Sequence, residues 1–537
     1  MVRKFPQNFR ARRIPSQKSV NFGAVAGQNN RVLPDLLNPK FAEKVQNYTM
    51  DGEGLLKSRT GQKLVAEKVG INGFSAGKYW YTAATVDYFM VGYGTTAALM
   101  GSDGSLNEIK TNFTANVTDI EIYKDFAFVA SGNAGNKLVR IDKATLTPTE
   151  EVNAVKSDVL FVRTTAGGGK PGVRLYCGGV DGDTKRLVYT KTDSGAATPW
   201  ATATDWDVTQ TNPESAGDAT FKDNITTISS RGDSILVGSE TSRTPFLITT
   251  ASSAGVVIQD VQVGWQYSDH GMARGAIDTS SGTYYLDKSG FRRMKTVSSE
   301  DLISANLGSN YFGNATFNNS TIVHDSKNNL ILASYGKDST TNNEVLCYNL
   351  TTDAITMFSG WNINIFMRTT DRVYGLSAID GKMYLLFESY EDNGFSIPTE
   401  FIFNVQKSGL DRTSVLSFLE VQAVLFEGEE IEFHFDIEDK FGSQITDYSV
   451  WKITGTASNT SLRSWGSTGY GNAGWGSGSG GASVLYQKYH TDSLNIEFLS
   501  MKIRVVSNNN TPHTLNFSEM KIEAGSSINL NNLTQVS

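Results

Sequence analysis

The sequence predicts an all-β protein: a degenerate β-propeller of about seven blades, preceded by an extended basic arm and followed by a β-sandwich-like platform domain. Three observations carry this. Glycine supplies 51 of the 537 residues and proline only 11, while aromatic residues reach 11%, a composition that favours many short strands joined by tight turns. A loose unit recurs through the middle of the chain: a polar turn, four or five apolar residues, then a small one. Beyond residue 400, longer stretches alternate apolar and polar with period two. With 39% hydrophobic and 19% charged residues, the chain can bury more than one core.

The first element, residues 1–70, reads as an extended basic arm with one short helix. Residues 1–34 hold Arg3, Lys4, Arg10, Arg12, Arg13, Lys18 and Arg31 and no acid, on a chain whose net charge is −7. Prolines at 6, 15 and 34 and the lack of a sustained period argue against a packed element. A basic arm on an acidic body points to docking on a neighbouring copy or on nucleic acid. Phe5 and Phe9 interleaved with Arg10, Arg12 and Arg13 have the composition of an interface anchor, so these five form the subunit-docking set. A solvated tail and DNA contact are the alternatives. Asn38-Pro39 reads as a helix start, with Phe41, Val45 and Tyr48 at helical spacing until Gly52 and Gly54.

Residues 71–400 contain the recurring unit, at 87–92, 125–130, 172–178, 233–238, 282–287, 329–333 and 381–387. Their last residues lie between 38 and 60 positions apart, close to the length of a four-stranded blade. Each small sheet has two apolar faces that only neighbouring sheets can cover, and closing the ring covers them all. A set of irregular sandwiches is the competing arrangement.

Residues 401–537 read as the platform. Ile431, Phe433, Phe435 and Ile437 alternate with Glu432, His434, Asp436 and Glu438; Met501, Ile503 and Val505 alternate with Lys502 and Arg504. The parity slip between Phe517 and Met520 predicts a bulge near Ser518. A glycine-rich loop over 465–481 has Trp465, Tyr470 and Trp475 as its large anchors, a candidate interface loop. The run 427–439 carries seven acids and no base, either a solvated strand face or a channel wall that repels polyanions, with Glu432, Asp436 and Glu438 as channel-lining candidates.

No motif for chemistry stands out. Gly469-x-Gly471-x-x-Gly474 matches the dinucleotide fingerprint formally but is followed by a Gly/Ser run that cannot start a helix. The Gly167-Gly168-Gly169-Lys170 stretch reads as a hairpin tip. His270, His324, His434, His490 and His513 lack metal-ligand spacing, and His324-Asp325 and His490-Thr491-Asp492 read as turns. Arg231-Gly232-Asp233 reads as a hairpin turn before an apolar strand. Cys177 and Cys347 lie in apolar runs, small core residues of a chain made in a reducing compartment. No apolar stretch is long enough to span a bilayer, and no secretory h-region follows the basic start. No catalytic residue, cofactor or metal is expected, and the chain is read as not an enzyme.

The layout as a whole resembles the tail nozzle or hub proteins of short-tailed bacteriophages, also described as packaged-DNA stabilisation proteins. In these an extended segment leads into a Gly-Leu-x-x-Arg-x-Gly element, similar to Gly54-Leu55-Leu56-Lys57-Ser58-Arg59-Thr60-Gly61 here, which has one residue more between the first leucine and the arginine, then a degenerate propeller and a β-rich platform. Thr60 stands where family members often have proline. The resemblance implies a virion protein synthesised in the host cytoplasm. It implies a homo-oligomeric, six-fold ring that docks to the portal and adaptor with Arg59 in the docking element, binds tail fibres or spikes, and forms the DNA exit channel. The alternatives are a carbohydrate-binding or glycoside-cleaving propeller, with Trp80, Trp265 or Trp361 stacking on sugars, and a generic interaction scaffold.

Overall fold

The computed structural model describes residues 18–20, 26–29, 31, 41–50 and 55–527, except 166–171, 194–197, 211, 213, 233, 240, 254–255, 265–270, 297, 309–310, 406–411, 426–427, 456–486, 492–493 and 510–512. Among these residues the helical elements are two short 3-10 turns, Ala203–Asp205 and Ile303–Asn306, and no helix is long and apolar enough to cross a membrane.

Each recurring unit is a strand of an antiparallel sheet. The sheets span 76–110, 119–150, 157–220, 227–263, 277–302 and 315–359; a last one, 363–389, gains Gly61–Glu67 as its outer strand. The inner strands touch in cyclic order, from Ala76–Ala83 through each sheet to Ile363–Arg368 and back to Ala76–Ala83. This is a closed seven-bladed propeller. Strand Gly61–Glu67 shuts the ring, so an early segment finishes the blade that the chain builds last.

The blades are held by apolar seams, one between each adjacent pair. Phe89, Val91, Ile365 and Leu376 join the last blade to the first, and Met90, Ile120, Val129 and Ile141 join the first to the second. The fourth-to-fifth seam is the thinnest among the described residues: Leu236, Met272, Tyr285 and Met294. Arg243 and Glu300 at 2.5 Å reinforce it. The small residue closing the recurring unit has a steric cause. It lies under the segment that crosses to the next blade, so a Cβ on Gly92 would come 2.5 Å from Val117, on Gly178 2.9 Å from Ile225, and on Gly238 2.5 Å from Met272.

The blade at 315–359 does not stop at four strands. Its outer strand Ile355–Ser359 pairs in parallel with Lys44–Gln46, and the sheet continues through Thr399–Val405, Ser500–Ser507, Glu430–Glu438 and Gln444–Thr454. A second sheet of Tyr48–Met50, Leu56–Ser58, Thr514–Ser527, Arg412–Val424 and Gln487–His490, with Lys18–Val20 and Ile496–Phe498 alongside, faces those five strands. Between them lies one core. Phe517 packs on Phe401, Phe403 and Phe433 at ring distances of 5.4, 5.1 and 6.3 Å, contacts whose loss on truncation to Ala costs about 3–5 kcal/mol. The register skips Ser518, with Phe517 opposite Val421 and Glu519 opposite Glu420, which is the bulge the parity slip predicts.

One element differs from the sequence reading. The helix expected after Asn38-Pro39 is replaced, over 44–50, by the strands Lys44–Gln46 and Tyr48–Met50, kinked at Asn47 with φ +59°. Val45 and Tyr48 fit a helical face locally, but both, with Met50, are buried in the sandwich core, where partners hundreds of residues away decide the outcome. The segment read as arm up to residue 70 therefore contributes 44–58 to the sandwich and 61–67 to the propeller.

Candidate functional site

The propeller's inner strands surround a bore of ≈ 1340 Å³. Its wall is set by the first residues of each inner strand, because those residues turn in from the crossover segments. Side-chain donors there tie neighbouring blades. Ser75 Oγ donates to the Val117 carbonyl at 2.6 Å, Thr226 Oγ1 to Met272 O at 2.7 Å and Asn364 Nδ2 to Phe74 O at 2.5 Å.

Arg274 crosses this end of the bore. It leads into the fifth blade, yet its Nη2 donates to Ser75 O at 2.9 Å and Thr118 O at 2.5 Å, at the entrances of the first and second blades opposite. Its own carbonyl accepts from Ser320 Oγ at 2.7 Å. A single side chain thus bridges the ring and obstructs its axis. Deeper in, Lys78 pairs with Glu121 at 2.7 Å. Burial raises the Glu121 carboxyl above the usual range despite Lys78; burial likewise raises Asp119, although Arg274 and the Leu160 and Ile120 amides pull it down. Burial opposes the Lys78 charge, but Glu121 outweighs it and raises the ammonium. The bore wall sets these paired charges and hydroxyls among apolar residues such as Ile120, Leu160 and Phe366. No sequence signal marks Arg274, which sits in an unremarkable Met-Ala-Arg-Gly turn.

Arg59 requires a correction. The resemblance places it in a docking element, but its side chain is 0% exposed and every bond it makes is internal. Nε donates to Asn47 Oδ1 at 2.9 Å, Nη1 to Asp392 Oδ1 at 2.9 Å, and Nη2 to Ser359 O at 2.8 Å and to Asp392 Oδ2. The guanidinium lies 4.6 Å from the Trp361 ring, whose Nε1 donates to the same Asp392 at 3.0 Å. Gly61 of that element has a local reason too: a Cβ there would overlap the Glu391 carbonyl. The element is an internal lock that ties the sandwich strands to the last two blades.

Glu432, Asp436 and Glu438 lie on the outward face of Glu430–Glu438, remote from the bore lining. They are not a bare acidic wall. Lys452 pairs with Glu432 at 2.5 Å, Arg504 reaches Asp436 at 3.8 Å and Asp447 at 2.7 Å, and Ser500 Oγ donates to Glu438 at 2.9 Å. The bases come from neighbouring strands, which the acidic run alone does not reveal. His434 bridges Asp447 at 2.8 Å and Glu432 at 3.0 Å. Phe5, Phe9, Arg10, Arg12 and Arg13, and the loop residues Trp465, Tyr470 and Trp475, lie outside the described residues.

Trp80 and Trp361, the proposed sugar platforms, are buried, and neither can present a ring face; Trp265 lies outside the described residues. Arg231 is pinned by Asp278 at 3.1 Å and by the Lys295 carbonyl at 2.7 Å, as befits a turn. Asp325 accepts from the Lys327 and Asn328 amides, again a turn. Cys177 and Cys347 are free and buried, and burial raises both thiols. Among the described residues no group of three or more His, Cys, Asp or Glu is placed to hold a metal ion.

No family model and no curated protein matches the chain. Among solved structures, a chain from the crystal structure of a mitotic checkpoint complex is similar at 10% identity and a TM-score of 0.39, covering 66% of this chain and 98% of that one. The propeller assignment stands on the strand order and the cyclic contacts of the inner strands.

Proposed function

We propose that this protein is a structural subunit of a bacteriophage tail, the nozzle or hub, which assembles as a ring, most simply a hexamer, and carries no catalytic site. In this reading it docks to the portal and adaptor, presents its loops to tail fibres or spikes, and leaves the genome a path along the ring's axis during ejection. The observation that supports it is the fusion of propeller and sandwich through one nine-stranded sheet, backed by the buried Arg59–Asp392 lock. Such a body transmits load between its two ends without an internal hinge. A propeller bore bridged by Arg274 also directs recognition to the outer faces.

Mass spectrometry of purified phage particles tests the proposal. The chain is expected in the particle at a fixed ratio to the portal protein; a stable monomer absent from particles refutes it. The carbohydrate reading gains no support from Trp80 or Trp361, which are enclosed by the fold.

A further inference from the structure

We infer that the outer edge of strand Gln444–Thr454 is the acceptor for the basic segment 1–17 of a second copy of this chain, which joins copies head to tail. Among the described residues no strand pairs with that edge; Tyr489 Oη donates to its last carbonyl, Thr454 O, at 3.3 Å. An unpaired edge offers a row of N–H and C=O groups, and protective devices normally blunt it. Here the blunting is partial. Residues 446–448 bulge opposite Asp436, with Asp447 at φ +53°, but Ser449–Thr454 keep regular pairing on their inner side, from Ser449 opposite Phe435 to Thr454 opposite Glu430. Tyr448 and Val450 stand 51% and 44% exposed on this strand.

Charge and position select the occupant. Glu430, Glu432, Asp436, Glu438 and Asp447 outnumber the bases that face them, Lys452, Lys502 and Arg504. Residues 1–17 bring five bases, two phenylalanines and no acid. The segment leaves the body at Lys18–Val20, which pairs with Met520–Ile522 on the flank of the sandwich that Leu56–Ser58 also occupies. The open edge closes the opposite flank. Donor and acceptor on opposite sides make a heterologous contact, the kind that closes rings. Seventeen extended residues span up to about 55 Å, ample for an adjacent copy.

The inference deepens the ring reading and rests on it for the number of copies. The test uses two full-length variants, one carrying Phe9→Cys and the other Val450→Cys, purified separately and mixed under mild oxidation. A disulfide-linked species of twice the chain mass is expected from the mixture, and Val450→Lys in place of the cysteine variant should weaken association several-fold. Val152→Cys, on a distant exposed turn of the second blade, is the control and should not cross-link. Tyr448→Cys repeats the measurement if Val450→Cys misfolds. Absence of the mixed species, or a cross-link that forms only within one chain when both cysteines are on it, overturns the inference. A cross-link that forms although the chain is absent from phage particles removes the tail reading and leaves the edge contact standing.

Discussion

Removing Arg59 should unfasten the two bodies while leaving each one's core intact. The guanidinium spends its donors on Asn47, Asp392 and the Ser359 and Thr60 carbonyls, and stacks on Trp361. Arg59→Ala leaves the Asp392 carboxylate, 13% exposed, with only neutral donors, the Trp361 indole at 3.0 Å and the Gln62 amide at 3.2 Å. Breaking a buried pair from one side costs about 3–5 kcal/mol, because the remaining charge stays desolvated. Arg59→Lys keeps the charge but loses the fork, and should cost about 1–3 kcal/mol. Asp392→Asn measured with and without Arg59→Ala gives the coupling between them. Urea unfolding of the purified protein reads the totals. Hydrogen exchange at Asn47 and Ser359, on either side of the lock, reads the location. A cost below about 1 kcal/mol for Arg59→Ala, or lost assembly with unchanged stability, would refute the lock and return Arg59 to a docking role.

Gly61→Ala should destabilise the last blade by at least about 1–3 kcal/mol, since the added Cβ overlaps the Glu391 carbonyl; unchanged urea unfolding would contradict this. Arg274→Ala should lower the melting temperature by about 2–4 °C and speed hydrogen exchange at the entrances of the first and second blades, with the third blade unchanged as the internal control. His513 predicts an acid-labile sandwich. Burial pushes its imidazole down to about 3, so native His513 stays neutral while the unfolded chain takes up a proton below about 6.5. Stability is full above that pH and falls by up to about 1.4 kcal/mol per unit between there and about 3 from this group alone. His513→Gln should flatten that part of the pH profile, and an unchanged slope would dismiss His513 as its source.

The propeller was legible because its cause is local and repeated. A glycine under three of the crossovers, at Gly92, Gly178 and Gly238, leaves a small residue at a fixed place after an apolar run, and a single sequence shows this directly. The sandwich alternation and the slip at Ser518 were legible for the same reason: period two and its phase error are properties of one strand. What stayed hidden depends on pairs distant in sequence. Val45 and Tyr48 satisfy helical spacing and strand burial alike, and only the neighbours at 357 and 401 choose between them. Arg59 in a short motif gives no hint of Asp392, 333 residues away, and the acids of 427–439 do not announce Lys452 or Arg504. Arg274 meets its partners only because a ring brings opposite blades together.

The interleaving of the chain bears directly on how it works. Residues 44–58 complete the sandwich, 61–67 complete the last blade, and the turn between them is fastened by Arg59. The next sandwich strand, Thr399–Val405, comes only after all the other propeller strands have been made. Neither body can finish until the chain has run through the other, so a cut at residue 70 or 400 strands an outer blade strand on one side and core strands on the other. The same interleaving denies the junction a linker. A force applied to the sandwich edge reaches the propeller through the parallel pairing at Gln46 and Met357 and the buried ion pair beside it, not through a flexible tether. For the ring subunit proposed above, that rigidity is the property the fold would supply, and it depends on a segment that reads in sequence as part of an arm.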